Sequence, residues 1–221
     1  MRDQTAQIEW RENGTPVSMR FDDPYFSLAG GLDETHYVFL QGNSLPARFC
    51  DGFHIAELGF GTGLNLLAAV SAFRASNQSG KLHFTSFEAF PMTPSDMAQA
   101  LGHFPGLDTG LITEQWTGET VVLTAEDVTA EIIIGDARQT LPNWEKKADA
   151  WFLDGFSPDK NPELWSAEIM REVGAHTTAG GTFATYTAAG HVRRSLTDAG
   201  FTVERVKGFG RKRHMSRGVR Q

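Results

Sequence analysis

A glycine-rich run is the first group of residues in this chain whose types and spacing could support chemistry. It reads Glu57-Leu58-Gly59-Phe60-Gly61-Thr62-Gly63-Leu64-Asn65 and follows an apolar segment. Glycines two positions apart let the backbone bend sharply and let a ligand approach the main chain. The dinucleotide fingerprint G-x-G-x-x-G needs a further glycine where this chain has Leu64 or Leu66. The spacing therefore disfavours a nicotinamide oxidoreductase, and a glycine turn without any ligand stays an alternative.

The observed spacing, G-x-G-x-G with an acidic residue two positions before it, is typical of S-adenosylmethionine (SAM) methyltransferases. SAM has no pyrophosphate to place at a helix N-terminus, but it carries an ammonium group that a nearby carboxylate would favour. We therefore predict that this run binds SAM. The predicted contacts are Glu57, Gly59, Phe60, Gly61, Thr62, Gly63 and Asn65.

Acidic residues also follow two later apolar segments. Glu88 lies at the point where folds of this kind bind ribose hydroxyls, although a solvated loop carboxylate would look the same. Asp136, followed by Ala137, comes after Ile132-Ile133-Ile134 and could accept a hydrogen bond from an adenine amino group. The alternative for Asp136 is an N-cap of a helix over residues 137–141. We predict that Glu88, Asp136 and Ala137 bind the cofactor.

A further carboxylate, Asp154, emerges from the apolar segment 150–153 into a loop rich in glycine and proline. In that place it can act on a bound substrate and contact the cofactor, whereas the alternative is a turn-initiating aspartate. Phe156 and Trp165 offer flat faces on which a base could stack, with core packing as the alternative. Pro158 lies between them, and we include it among the predicted substrate contacts.

The elements that must position these residues alternate between strand and helix. Strands are predicted at 53–58, 82–87, 120–124, 128–134, 149–153, 181–186 and 201–206, and helices at 64–73, 94–101, 163–174 and 189–199. This alternation predicts an α/β fold: a doubly wound, mostly parallel sheet of the Rossmann-like class I methyltransferase type. In such sheets, ligands bind outside the carboxyl ends of the strands.

Residues 1–50 are predicted to form an N-terminal extension packed on the core, which spans 51–221. A β-hairpin is expected over 8–21, because apolar residues alternate on both sides of Asn13-Gly14. Asp22-Asp23-Pro24 then breaks the pattern. A short helix is expected over 33–41, with Gly42-Asn43 as its stop.

The composition places broad limits on the protein. Its 221 residues are 40% hydrophobic and 21% charged, which excludes a disordered chain. The single cysteine excludes an internal disulfide and a multi-cysteine metal site. No apolar run reaches the ~20 residues of a membrane span, and residues 1–4 lack the apolar core of a signal peptide. We therefore expect a cytoplasmic protein.

The net charge of −7 argues mildly against a nucleic-acid partner, but the charge is unevenly distributed. Residues 191–221 hold nine basic and two acidic side chains, a balance of +7, so residues 1–190 carry −14. The basic side chains of interest are Arg193, Arg194, Lys207, Arg211, Lys212 and Arg213. Lysine and arginine neutralise nucleic-acid phosphates, whereas the alternative for such a segment is a solvated tail.

Several of these segments together resemble the methyltransferase part of the MnmC-type bacterial tRNA modification enzymes. The resemblance is carried by the runs 57–65, 151–165 and 207–213, and it extends to 14–18 and 22–27. It therefore covers nearly the whole chain. It implies SAM-dependent methylation of the amino group of a 5-aminomethyluridine, often 2-thiolated, at the wobble position of tRNA.

With such a substrate, roles follow for individual residues. Asp154 would hold the aminomethyl group and receive its proton, directly or through water; alternatively it only positions the amine, because a nearby carboxylate favours the charged ammonium. The six basic side chains would bind the tRNA anticodon stem-loop. Bifunctional members of the family continue into an FAD-dependent oxidase; this chain shows no second glycine fingerprint, so we expect neither that activity nor FAD.

Other functions remain as alternatives. Methylation of another RNA, a protein or a small-molecule amine would share the glycine turn and the carboxylates, and a non-catalytic RNA-binding module would share the basic end. Metal catalysis is not expected, because the seven histidines form no H-x-x-x-H pattern. The hydrolytic signature G-x-S-x-G is absent from the sequence.

Overall fold

The computed structural model describes residues 5–26 and 30–221. Residues 1–4, on which the expectation about a signal peptide rests, lie outside the described residues, as does Ser27 at the end of one resembling run. Within the described part of the chain, no helix combines the length and the apolar character needed to cross a membrane.

The N-terminal segment forms the predicted hairpin. Strands β1 (Ile8–Trp10) and β2 (Pro16–Ser18) pair antiparallel. The segment after the hairpin is a strand, contrary to the expected break, since β3 (Asp23–Pro24) pairs antiparallel with β2. Proline is tolerated there because β3 lies at the edge of this small sheet.

The rest of the chain builds a central sheet. Its strands are β4 (His54–Leu58), β5 (Leu82–Glu88), β6 (Val121–Ala125), β7 (Val128–Ile134), β8 (Ala148–Leu153), β9 (Thr177–Thr185), β10 (Phe201–Lys207) and β11 (His214–Arg220). Their order across the sheet is β10-β11-β9-β8-β4-β5-β7-β6. The strands from β9 to β7 in that order are parallel to one another, whereas β6 and β11 run antiparallel to their neighbours. The predicted mostly parallel sheet is confirmed. Strand β11 does not follow from the sequence pattern.

Helices flank this sheet. They are α1 (Gly31–Thr35), α2 (Leu64–Ala75), α3 (Pro94–Leu101), α4 (Gly110–Thr113), α5 (Ala137–Thr140), α6 (Ala167–Ala175) and α7 (Gly190–Asp198). Helix α3 has the predicted bounds, because the Thr93 hydroxyl accepts a hydrogen bond from the Asp96 N–H at 3.1 Å and Pro94 occupies the first turn. Helix α6 begins later than predicted, since Ser166 caps it.

The helix predicted over 33–41 belongs to a longer helical segment. Helix α1 continues into a π-helical turn (His36–Leu40) and a 3₁₀ turn (Gln41–Asn43), and the helical segment ends at Asn43, within the predicted stop Gly42-Asn43. Asn43 is fully buried, and its amide donates to the carbonyl oxygens of Phe39 at 2.9 Å and Trp151 at 3.3 Å. These bonds hold the segment against the central sheet.

Both faces of the central sheet are covered by apolar side chains, as a doubly wound sheet requires. Ile55 and Phe152 pack in a cluster with residues of α2, whereas Ala56 and Trp151 pack in a second cluster with residues of α6 and α7. Strands buried on both faces are held in fixed register. The loops at their carboxyl ends therefore have a rigid base.

Candidate functional site

A cavity of about 810 Å³ lies at the carboxyl ends of the parallel strands. In the sheet, Leu58 of β4 pairs with Phe87 of β5 and with Leu153 of β8, so the loops that follow leave the sheet at one level. The loops after β4, β5, β7 and β8 contribute Gly59, Glu88, Asp136 and Asp154 to the lining. Three of the four carboxylates predicted for the site therefore meet in this cavity.

Two glycines of the turn after β4 lie where a side chain would not fit. Gly59 has φ of 83°, and a Cβ atom there would lie 3.0 Å from the Cα of Gly155. Gly63 has φ of 73°, and its Cβ would lie 2.4 Å from Ile112 Cδ1. Gly59 thus admits the loop that carries Asp154. Gly63 serves packing and does not line the cavity, so the structure does not support its predicted cofactor contact.

Asn65 joins the carboxylate of β4 to that of the loop after β8. Its Nδ2 donates to Glu57 Oε1 and to Asp154 Oδ2, each at 2.8 Å. Its Oδ1 accepts from the Thr35 hydroxyl at 2.9 Å, and the Ser86 hydroxyl donates to Glu57 Oε2 at 2.6 Å. Both polar atoms of the Asn65 amide are engaged, so the network fixes its orientation and that of Asp154.

Glu57 lies behind the cavity rather than in it. Its exposed fraction is 0%, and it does not line the cavity. The direct cofactor contact predicted for Glu57 stays a prediction, and in this structure its carboxylate is linked to the site through Asn65. Burial raises the pKa of Glu57 well above its usual value, against the hydrogen bonds from Ser86 and Asn65.

The loop after β8 is held by hydrogen bonds from three directions, and it carries Asp154. The bonds run from Tyr186 Oη to the Gly155 carbonyl at 2.9 Å, from Trp165 Nε1 to the Phe156 carbonyl at 2.8 Å, and from the Ser157 N–H to Asp23 Oδ2 at 3.0 Å. They come from the segment after β9, from the same loop and from β3. A loop tied in this way positions Asp154 rigidly.

The Asp154 carboxyl has a perturbed pKa. Burial raises it from 3.8 to about 6, against the hydrogen bond from Asn65 and the charge of Lys212, while the charge of Glu34 raises it further. At neutral pH this carboxyl is mainly ionised. A half-buried carboxylate with a raised pKa is suited to bind a cation or to accept a proton.

The predicted stacking residues differ in where they lie. Phe156 lines the cavity, and its ring stacks on Phe21 with 4.7 Å between ring centres. Trp165 is 1% exposed and packs in the core with Ile169, as in the core-packing alternative, so it offers no exposed face to a base in this structure. Pro158 is also buried and does not line the cavity, so its predicted substrate contact is not supported.

Glu88 presents its carboxylate to the cavity from the end of β5. It accepts hydrogen bonds from the N–H groups of Gly61 at 2.9 Å and Phe90 at 2.7 Å. A carboxylate has about four acceptor positions, so capacity remains for ligand hydroxyls. Burial raises the pKa of Glu88, and its hydrogen bonds from backbone N–H groups oppose that shift.

Asp136 lines the cavity but is also engaged by the protein. It caps α5 by accepting from the Arg138 N–H at 2.9 Å, which confirms the N-cap alternative. Its carboxylate pairs with the Arg138 guanidinium at 2.5 Å, and this partner lowers the pKa of Asp136. Ala137 lines the cavity beside it. Any ligand amino group would therefore share this carboxylate with Arg138.

One wall of the cavity comes from the N-terminal segment, which the sequence reasoning misses. Arg20 lies with its guanidinium 4.5 Å from the centre of the Phe90 ring, and Phe21 stacks on Phe156 as described. Tyr25 also lines the cavity. For Tyr25 the available signal is the run 22–27, which carries part of the family resemblance although its residue pattern predicts only a break after the hairpin.

Most of the basic C-terminal side chains lie at the same edge of the sheet as the cavity. Lys207 ends β10, and the turn that follows leads back into β11, while α7 begins beyond the carboxyl end of β9. Five of the six predicted residues take part in none of the ion pairs among the described residues: Arg193, Arg194, Lys207, Arg211 and Arg213. Lys212 is the exception among the six, and its side chain lines the cavity.

The part of the chain that the structure describes offers no group of three histidine, cysteine or carboxylate side chains able to hold a metal ion.

Comparison with known proteins decides the family. The family described as S-adenosyl-L-methionine-dependent methyltransferase matches residues 109–221, just over half of the chain. The chain belongs to this methyltransferase family. SAM is therefore its cofactor, as the glycine spacing predicts.

The methyltransferase is similar to a longer curated protein. It is 45% identical over 96% of its length to the tRNA 5-methylaminomethyl-2-thiouridine biosynthesis bifunctional protein MnmC of Chromobacterium violaceum. The match covers 34% of that protein, so the chain spans about a third of the relative's length.

Two solved structures share the fold. The crystal structure of MNMC2 from Aquifex aeolicus aligns with a TM-score of 0.72 and 27% identity, covering 98% of this chain and 71% of that one. Spermidine synthase from Thermotoga maritima aligns with a TM-score of 0.57 at 10% identity, covering 94% and 63% of the two chains, and this likeness concerns the fold alone.

The lining of the cavity fits SAM in its donors and acceptors. The turn after β4 brings the main chain to the cavity, Glu88 offers a carboxylate to hydroxyls, and Asp154 offers negative charge to a cation. These are the groups that a ligand with a ribose and an ammonium requires.

Proposed function

We propose that this methyltransferase N-methylates the aminomethyl group of 5-aminomethyluridine, with or without a 2-thio group, at the wobble position of tRNA. The product is the corresponding 5-methylaminomethyluridine. The observation that carries the proposal is the ionisable Asp154 in the cavity of a chain 45% identical to MnmC. A tRNA substrate also supports action in the cytoplasm.

The residues that would hold SAM line the cavity around the turn after β4. They are Gly59, Phe60, Gly61, Thr62, Asn65, Glu88, Asp136, Ala137 and Asp154. When bound, the cofactor supplies an electrophilic methyl group on its sulfonium. The task of the protein is then to align an amine with that group and to exclude water.

Asp154 has two tasks toward the substrate amine. An alkylammonium, whose ordinary pKa is near ~10.4, has no lone pair and must lose a proton before or during methyl transfer. The Asp154 carboxylate first favours the charged ammonium and so binds it. It then accepts the proton, directly or through one water, which leaves the nitrogen with the lone pair that methylation requires.

The tRNA would be held by the five basic side chains at the cavity edge, with the wobble base turned into the cavity. Cationic side chains bind RNA phosphates with an affinity that falls with salt. Bases of RNA loops can be splayed out and stacked on aromatic rings, and Phe156 offers such a ring in the cavity. The anticodon stem-loop is thus the proposed partner.

Methyl transfer from labelled SAM to tRNA from cells lacking this activity, followed by nucleoside analysis, tests the proposal. We expect the label in 5-methylaminomethyluridine or its 2-thio form. Label in a different nucleoside would favour another RNA substrate. Label in a small-molecule amine, with none in tRNA, would favour the small-molecule alternative.

A further inference from the structure

The ammonium of Lys212 lies inside the cavity, where it has two partners. Its Nζ is 2.7 Å from Glu34 Oε1 and 4.2 Å from the centre of the Tyr186 ring. All three residues line the cavity together with Asp154. A carboxylate beside an aromatic face is an arrangement that binds alkylammonium ions, since both attract a cation.

These partners are fixed to the elements that hold Asp154. Glu34 lies in α1, whose last residue, Thr35, donates to Asn65 and so to the network around Asp154. Tyr186 donates its hydroxyl to the Gly155 carbonyl, next to Asp154 along the chain. Lys212, by contrast, comes from the turn between β10 and β11, and its side chain is 47% exposed. The carboxylate and the ring are thus built into the site, while the lysine can leave it.

The Lys212 side chain and the proposed substrate end in the same chemical group. A lysine side chain and an aminomethyl group both end in a CH₂–NH₃⁺ unit. A site that holds the first has the chemistry to hold the second. Exchange of one ammonium for the other leaves the charge of the cavity unchanged.

We propose that Glu34 and the Tyr186 ring form, with Asp154, a subsite for the primary alkylammonium of the substrate, which Lys212 occupies until the substrate amine displaces it. This inference rests on the proposed function, because its ligand is the aminomethyl group. The subsite selects uridines that carry an ammonium over unmodified uridine. It also gives Lys212 a role distinct from that of the phosphate-binding residues.

The test compares two RNA hairpins of one sequence, with 5-aminomethyluridine or uridine at the target position. Their dissociation constants are measured with S-adenosylhomocysteine present, and the ratio of the two constants reports selection of the ammonium. Lys212→Met removes the competing charge and keeps the length of the side chain. We expect it to tighten binding of the aminomethyl hairpin by roughly two- to fivefold, the range of exposed ion pairs, and to increase the ratio.

The double variant Lys212→Met, Glu34→Gln removes the carboxylate as well, and we expect the gain in the ratio to be lost. Lys146→Met is the matched control, because Lys146 pairs with Glu131 at 2.9 Å and does not line the cavity. Breaking that pair should leave the ratio unchanged. Thermal melts confirm that each variant is folded.

Two results would overturn the inference. If Lys212→Met leaves the ratio unchanged without weakening either hairpin, the lysine does not compete with the substrate amine. If it weakens both hairpins equally, so that the ratio again stays the same, Lys212 binds phosphate. Either result can occur while the wild-type protein still methylates tRNA, whereas failure of the wild-type protein to bind or methylate either RNA would instead refute the proposed function.

Discussion

The ionised carboxylate of the single residue Asp154 lowers the stability of the folded protein. Its pKa is about 6 in the folded protein against an ordinary 3.8, so the folded state holds this proton more tightly than the unfolded chain does. The resulting stabilisation is fully present below about pH 4 and is lost as the pH rises through 6. At neutral pH the folded protein therefore carries an unfavourable charge, which is the form that the proposed proton acceptor requires.

Replacement of this carboxyl should separate stability from activity. We expect Asp154→Asn to melt a few degrees above the wild type at pH 7.5, at roughly 2–4 °C per kcal/mol for a chain of this size, with the difference vanishing near pH 4. Methyl transfer should fall by about 100-fold or more, since the proton acceptor is lost. SAM affinity by calorimetry should fall far less than methyl transfer, because Glu88 and the turn after β4 would still hold the cofactor. Turnover close to that of the wild type would refute the role of Asp154.

The role of a second residue, Glu57, can be tested by comparing two substitutions. If it acts only by orienting Asn65, Glu57→Gln should be nearly neutral, because the amide oxygen can accept from Asn65 while its NH₂ group donates to the Ser86 hydroxyl. Glu57→Ala leaves Asn65 without that partner and should lower methyl transfer strongly. SAM affinity of the two variants decides the question. Loss of about tenfold or more in Glu57→Gln would show that the carboxylate charge itself acts on the cofactor.

At the scale of elements, the small N-terminal sheet and the loop after β8 form one unit around the site. Asp23 of β3 accepts the Ser157 N–H, and Lys160 pairs with both Asp22 and Asp23. The two aspartates differ in exposure: the Asp22 side chain is 92% exposed and that of Asp23 is 26% exposed. Only Asp23 therefore holds the backbone close to Asp154.

This difference gives a matched pair of variants. Asp23→Ala frees the loop, and a small displacement of a positioned group reduces the rate, so we expect kcat to fall by about 10- to 100-fold. Asp22→Asn removes only an exposed ion pair, because asparagine also tolerates the φ of 48° at this position, and it should change kcat by less than about twofold. Steady-state methyl transfer measures both. Equal effects of the two substitutions would contradict a positioning role for β3.

The elements also show what local sequence can and cannot predict. Helix α3 and the parallel strands follow from capping residues and apolar runs, which are local signals. Strand β11 does not, because Met215 is its only large apolar buried residue, and Ser216 and Gly218 become interior only through pairing with β9 and β10. The same holds for the site: the carboxylates at strand ends are predictable, whereas the burial of Glu57 and Trp165 depends on tertiary packing.

Across the whole molecule, the basic residues of the C-terminal segment fall into two groups, those that stabilise the central sheet and those that lie at the cavity edge. Arg217 pairs with Glu204 at 3.0 Å, and Arg220 donates to the Gly174 carbonyl at 3.2 Å and the Gly200 carbonyl at 3.1 Å. These arginines stabilise the edge of the central sheet. The charge balance of +7 therefore overstates the positive charge available to a tRNA. The cations at the cavity edge are the ones available to bind its phosphates.

The salt dependence of tRNA binding tests that assignment. Each cation that neutralises a phosphate contributes about 0.7 to 0.9 to the slope of log K against log salt. We expect replacement of Lys207, Arg211 and Arg213 by glutamine to raise the KM for tRNA and to reduce this slope by about 2 to 3, with kcat at saturating tRNA little changed. The control replaces Lys81, Lys146 and Lys147, which precede β5 and β8 and so lie at the opposite edge of the sheet. Both triple variants remove three positive charges, so long-range attraction weakens in each. An equal loss of slope in the two would mean that net charge, and not a docking surface at the cavity edge, governs binding.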